Sequence, residues 1–410
     1  MRGQKRILNK FIYVAMIAVI GFTSLGLTSK EDEKKIHSNI IIENVDVGKL
    51  TKKEAIKKLE TTYPLKDFNI TYKDKKWIIK AENIDLNYHI EEKVKEAFDY
   101  TRSSFMVENI KRKGNLNFKK SHNIRLKATY NETKLSEELK EICNSINVDA
   151  VDATFHVELS GELKRTESKE GKQVDLSRLK EEMYDMINKK KIENINLPVL
   201  TLYPTISTED VKSINSILGQ FSTSFNDSTS RGGNIHVAGE STSDILLMPG
   251  ETFSYNKTTG ARNWVNGYKS APVIVGGKVT NGEGGGVCQV STTIYNAALL
   301  AGLSIDEVHN HSLPSKYAPR GRDATVSYGY TDLKFSNHYS HPVYIKNIVK
   351  NGAITSKIYG CDLDRERISI KTTEEYTKNK ITVQTYRLYL DEQNNIIRKE
   401  LVNTSVYKPH

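Results

Sequence analysis

The chain has 410 residues, of which 38% are hydrophobic and 27% charged, and it carries a net charge of +10. That length exceeds one ordinary core and implies several domains, and the composition excludes a chain dominated by disorder. The positive balance favours a polyanionic neighbour: a wall polymer, an acidic lipid surface or a nucleic acid.

Arg2, Lys5, Arg6 and Lys10 precede an uncharged run from Phe11 to Leu27, with Glu31, Asp32 and Glu33 behind it. A membrane-spanning helix needs roughly 17–25 residues, so the run predicts a short single span. The basic flank places the N-terminus in the cytoplasm and the rest outside. The rival is a cleaved signal peptide with Ser24-Leu25-Gly26 as its cleavage site. Either way the chain is exported, which removes nucleic acid as a partner. The expected location is the cell membrane, single-pass, with the bulk of the chain extracellular at the wall, or secreted if the segment is cleaved.

After this anchor (residues 1–30) comes an α+β segment, 31–125. Ile40 to Val47 reads as a strand, Gly48 as a turn, and Thr51-Lys52-Lys53-Glu54 as a capping box ahead of Ala55, Ile56 and Leu59. Phe68–Tyr72 and Trp77–Ile79 read as strands. In a second α+β segment, 126–205, Gly171 predicts a turn and Asp175 an N-cap. Leu179, Met183, Met186 and Ile187 recur there at helical spacing, and Ile195–Tyr203 is an edge strand because it contains Pro198. Residues 206–360 form a glycine-rich mixed α+β domain, and 361–410 a β-rich extension with a turn at Asp391 to Asn395.

The three cysteines differ in context. Cys143 lies among Leu135, Leu139, Ile142 and Ile146 and reads as core, and Cys361 ends a strand-like segment. Cys288 follows Gly284-Gly285-Gly286-Val287 and opens a helix whose Val290, Ile294, Ala297, Ala298 and Ala301 share a face packed on a sheet, with Gly302 as its stop. A thiol there faces the positive end of the helix, which favours the thiolate, and the free N–H groups can receive an oxyanion. A base follows downstream as His309 or His311, and Asp323 or Asp332 could orient it. His309, His311, His338 and His341 lack zinc-site spacing, and no phosphate-binding loop is present, so neither metal nor cofactor is expected.

Several clustered motifs resemble the VanW family: Met248 to Asn256, Gly267-Tyr268, Gly284 to Thr292, Tyr295-Asn296-Ala297, His311-Ser312 and Gly321 to Val326. The match covers about residues 220–360. The segments 31–125 and 126–205 resemble peptidoglycan-binding domains that accompany such proteins, through Gly171 to Asp175 and the strand with Pro198.

The resemblance implies a peptidoglycan L,D-transpeptidase with stem peptides and glycan as partners, in which Cys288 is the nucleophile. It prefers His311 over His309 as base, and Asp323 is the first candidate to orient it. Gly285, Gly286, Val287, Gln289 and Ser291 would form the substrate and oxyanion loop, with His309, Arg322 and Asp332 as secondary candidates. A cysteine endopeptidase or a non-catalytic wall-binding scaffold are the other readings.

Overall fold

The computed structural model describes residues 34–118, 120–275 and 278–409. The membrane helix expected between Phe11 and Leu27 lies outside them. Among the described residues no helix is long and apolar enough to cross a membrane. The expected architecture is therefore corrected to a mixed α+β multidomain chain, and the single-pass location and membrane partnership that rested on that helix are withdrawn.

The described residues fall into two compact units, one running up to Asp149 and including Gly171–Leu202, the other containing Ala150–Glu170 and Tyr203 onward. In the first, the Thr51 hydroxyl accepts the Glu54 N–H while the Glu54 carboxylate accepts the Thr51 N–H. This reciprocal cap starts helix Lys52–Thr62, which buries Ala55 and Leu59. The strand expected from Ile40 to Val47 is instead a hairpin, Ile40–Ile42 with Val45–Asp46. Glu43 and Asn44 take φ of 43° and 67°, the left-handed pair that a two-residue hairpin turn requires.

Asp175 caps helix Leu176–Lys189 through the Arg178 N–H, and Leu179, Met183 and Ile187 are buried. Gly171 is not a turn but a buried strand residue in Gly171–Val174. The expected strand through Pro198 breaks there. Ile195–Asn196 pairs parallel with Phe68–Tyr72 at a sheet edge, and Val199–Leu202 pairs antiparallel with Gly171–Val174. Proline offers no N–H to continue a single ladder.

The second unit is built on a four-stranded antiparallel sheet in the order Ser216–Ser224, Ala353–Gly360, Val343–Lys350, Ile245–Leu247. Helices Ser230–Ser241 and Val287–Leu300 pack on it. Gly219 lets sheet and helix touch: a Cβ there would lie 2.4 Å from the Ala301 nitrogen. The core includes Ile235, Leu247, Val290, Ile294, Ala298, Val343, Ile345, Ile354 and Ile358, all buried.

Ile368–Tyr376, Ile381–Leu390 and Ile396–Tyr407 make an antiparallel sheet that belongs to this unit. Ile381, Val383, Thr385, Arg387 and Tyr389 point inward with the expected alternation. Arg387, 2% exposed, donates to the Gly302 and Leu303 carbonyls at 3.1 and 2.8 Å, joining this sheet to the end of helix Val287–Leu300.

Candidate active site

The hairpin of Ser270–Val275 and Lys278–Glu283 delivers the chain to Gly284, Gly285 and Gly286. Gly284 and Gly286 have φ of +76° and +107°, a region in which a side chain is strained. Gly285 is needed for space, because a Cβ would sit 2.6 Å from the Pro272 carbonyl oxygen. Gly286 caps helix Val287–Leu300, so Cys288 is its second residue. The Val287 and Gln289 N–H groups donate to the Gly284 and Gly286 carbonyls at 3.2 and 3.0 Å. The Cys288 N–H between them makes no hydrogen bond among the described residues. It is the amide left to receive negative charge beside the sulfur.

The helix is buried on all sides, including its polar residues, and Cys288 is partly exposed. Gln289 donates to the Thr223 hydroxyl and the Ser224 carbonyl, and its side-chain oxygen accepts from Arg231 at 2.8 Å. Ser291 donates to the Ala324 carbonyl at 2.7 Å, and the Thr292 hydroxyl accepts the Ala324 N–H at 2.9 Å. Asn296 donates to the Arg322 carbonyl at 2.8 Å and accepts from the Arg322 side chain at 2.7 Å. These bonds clamp residues 322–324 along the helix and leave few buried polar groups of this face unsatisfied, which would each cost about 1–3 kcal/mol.

The clamp aims Asp323 at His311. Its Oδ2 accepts both the His311 backbone N–H at 2.8 Å and the ring Nδ1 at 2.6 Å. Its Oδ1 accepts from the Tyr407 hydroxyl, which in turn accepts the Gly321 N–H at 2.6 Å. Asp323 is 1% exposed, so this carboxylate is fully committed. With Nδ1 bound to Asp323, Nε2 is the ring nitrogen left free, and His311 and Cys288 lie close enough to shift each other's titration. The Cys288 sulfur also receives the Val326 N–H at 3.5 Å and lies 3.6 Å from the Thr325 hydroxyl. Tyr317 packs edge-on to the imidazole at 6.4 Å.

Burial works against a Cys288 thiolate, yet the His311 hydrogen bond and charge, the Val326 N–H and the Thr325 hydroxyl outweigh it and hold the thiol below its ordinary value. Burial likewise works against a charged His311, but Asp323 and Cys288 together push it up to about 10. The two shifts act in the same direction, each favouring a thiolate beside an imidazolium, a nucleophile next to a proton donor.

Residues 230–359 match a family model described as VanW like protein. The chain carries a VanW-like domain. Residues 77–195 match a second model, described as "Putative peptidoglycan binding domain". The chain is 40% identical over 176 residues to the uncharacterized protein YoaR of Bacillus subtilis, covering 42% of this chain and 58% of the relative. It is 32% identical over 109 residues to the vancomycin B-type resistance protein VanW of Enterococcus faecalis, covering 25% of this chain and 40% of the relative. The chain thus spans less than two thirds of either relative's length. No solved structure matches it.

Within the VanW-like domain the remaining candidates take other places. His309 is exposed and pairs with Glu307 at 3.1 Å, while its carbonyl accepts the Thr325 N–H. Asp332 accepts from the Ser254 hydroxyl at 2.6 Å and the Asn256 and Leu333 N–H groups at 2.8 Å, organising the start of helix Tyr255–Thr259. Arg322 stacks over Phe221 at 5.1 Å. Gln289 and Ser291 act as clamps through their side chains, and Val287 is buried with its N–H engaged. His311 sits in irregular chain beyond strand Ser304–Glu307.

Sequence reading missed Tyr407, Thr325, Val326 and Tyr317 as site residues. Thr325 and Val326 stood in the Gly321 to Val326 motif, but nothing in the sequence pairs Tyr407 with Asp323, 84 residues away. Cys143 is half-buried and Cys361 buried, both as free thiols. Cys361 joins His341 and Asp364 in a trio whose potential ligand atoms lie within 4.8 Å of one another, where His341 and Asp364 already bond at 3.0 Å.

Proposed function

We propose that the chain is a cysteine acyltransferase of the cell wall, an L,D-transpeptidase that joins peptidoglycan stem peptides through their third residues. The Cys288–His311–Asp323 arrangement carries this reading, supported by the VanW-like domain and the matched peptidoglycan-binding region, which favours a place at the wall.

The Cys288 thiolate attacks the carbonyl carbon of the third stem residue in a tetrapeptide donor. The oxyanion is met by the Cys288 N–H, the amide that the glycine loop leaves without a partner. As the tetrahedral species collapses, the C–N bond to the terminal D-alanine breaks and the His311 imidazolium protonates the departing amine. The neutral His311 then removes a proton from an acceptor amine as that amine attacks the thioester, and the thiolate returns. Asp323 holds the ring orientation through both steps and stabilises its charge. The donor's own amide supplies the acyl group, and the thioester conserves its reactivity for transfer.

Purified muropeptides with tetrapeptide stems, incubated with the chain and read by mass spectrometry, test the reaction. The expected product is a dimer formed with loss of one D-alanine and absent with Cys288→Ala. Shortened stems without dimers would replace transfer by hydrolysis, and untouched stems would overturn the enzyme reading.

A further inference from the structure

Arg262 stands apart among the cations of the second unit. Its Nη2 donates to the Asn256 side-chain oxygen at 2.5 Å, while Nε and Nη1 are buried with no hydrogen-bond partner. No carboxylate lies within ion-pair distance of it among the described residues. Arg262 as a whole is partly buried, but two of its guanidinium nitrogens are shielded and have no protein partner, which is costly unless a bound group supplies the missing hydrogen bonds. Such a group marks a place where a ligand completes the bonding.

Its surroundings are those of Cys288. The guanidinium lies 5.5 Å from the Tyr255 ring and 5.8 Å from the Tyr328 ring. Tyr255 in turn donates to the Val287 carbonyl at 3.2 Å, directly before Cys288. The stem of Arg262 rests on the glycine loop, since a Cβ at Gly284 would lie 2.8 Å from the Arg262 Cβ. Thus the same two segments flank both groups: Gly284–Val287 on one side and Thr325–Tyr328 on the other. Among the described residues, the side chains of Arg231 and Arg322 donate only to neutral side-chain oxygens, on Gln289 and Asn296. The buried carboxylate of the site, Asp323, is taken by His311 and Tyr407.

We propose that Arg262 is the carboxylate-recognition residue of the Cys288 site, selecting acyl donors whose leaving group ends in a free carboxylate. The inference rests on the acyl-transfer reading and adds to it the residue that holds the carboxylate of the departing C-terminal amino acid. Tyr255 and Tyr328 hold the guanidinium by their ring faces, and the ligand carboxylate takes the donors that Asn256 leaves free. Charge and direction together orient the scissile carbonyl toward the sulfur.

The test uses two alkylating agents of nearly equal size, anionic iodoacetate and neutral iodoacetamide, with alkylation of Cys288 followed by mass spectrometry in the full chain. The wild-type ratio of iodoacetate to iodoacetamide rates is expected to fall about tenfold in Arg262→Gln and to stay within about threefold in Arg262→Lys. Binding to Cys288→Ala, with and without Arg262→Gln, reads the same subsite without the thiol. An N-acyl dipeptide ending in D-alanine should bind at least about tenfold more tightly than its C-terminal amide, and only while Arg262 is present. An unchanged rate ratio together with equal binding of acid and amide, or no binding of either, overturns the assignment. A Cys288 inert to both reagents would sink the acyl-transfer reading instead, and the dipeptide comparison then decides Arg262 by itself.

Discussion

The Tyr407 hydroxyl donates to one oxygen of Asp323 while the His311 ring takes the other at 2.6 Å. The last strand of the terminal sheet therefore reaches the carboxylate that orients the histidine of the site. Thr385, on the neighbouring strand, adds a bond to the Gly321 carbonyl at 2.7 Å. The β-rich extension is thus a wall of the site.

Tyr407→Phe removes a buried donor from Asp323 and an acceptor from the Gly321 N–H. The variant is expected to lose about 1–3 kcal/mol of stability in chemical denaturation. Iodoacetamide should alkylate its Cys288 several-fold more slowly at neutral pH, because Asp323 is less firmly held. Unchanged alkylation would mean that His311 is positioned without this bond.

Asp323→Asn keeps the shape but withdraws the charge that raises His311. With His311 easier to deprotonate, Cys288 loses its main opposing charge and its thiol rises toward the ordinary value. The acid limb of the alkylation profile should move to higher pH, and turnover should fall by about 10²-fold or more. A profile superimposable on wild type would remove Asp323 from the site.

The pH dependence has a fixed sign. The raised His311 contributes stability that is full below about 6.5 and lost as pH climbs through about 10. The depressed Cys288 contributes stability that is present above its ordinary value of 9.0 and lost as pH falls through its lowered value. The ion pair accordingly holds between the lowered thiol value and about 10. Alkylation of Cys288 should persist well below the pH at which the half-buried Cys143, pushed up by burial, stops reacting. Parallel profiles for the two thiols would contradict the pair.

Gly285→Ala places a Cβ 2.6 Å from the Pro272 carbonyl oxygen, where only backbone movement gives relief. It should cost about 2 kcal/mol or more and slow Cys288 alkylation. Gly233→Ala, in helix Ser230–Ser241 with nothing within 4 Å of its Cβ, should instead stabilise by about 0.4–1 kcal/mol. Thermal melts of the two variants should move in opposite directions.

What the sequence made legible was local. Thr51 and Glu54, Asp175, the glycine approach to Cys288, the Gly302 stop and the alternation from Ile381 to Tyr389 each depend on neighbours a few residues away. The buried polar face of the cysteine helix was harder, because Gln289, Ser291, Thr292 and Asn296 resemble a solvated surface. The absence of any charged residue from Val287 to Leu300 was the available signal. His309 and His311 share a segment, and their roles separate only when Glu307 takes one and Asp323 the other. Arg262 was invisible for the same reason, since an orphaned donor is a property of its surroundings in space.

The most direct measurement is the intact mass of the chain after rapid mixing with a tetrapeptide muropeptide and acid quench, followed by peptide mapping. The expected result is an adduct equal to the donor minus its terminal D-alanine, attached to Cys288 and labile to hydroxylamine as a thioester is, and absent in Cys288→Ala. A chain that turns muropeptides over without such an adduct, or carries it on another residue, would contradict Cys288 as the nucleophile.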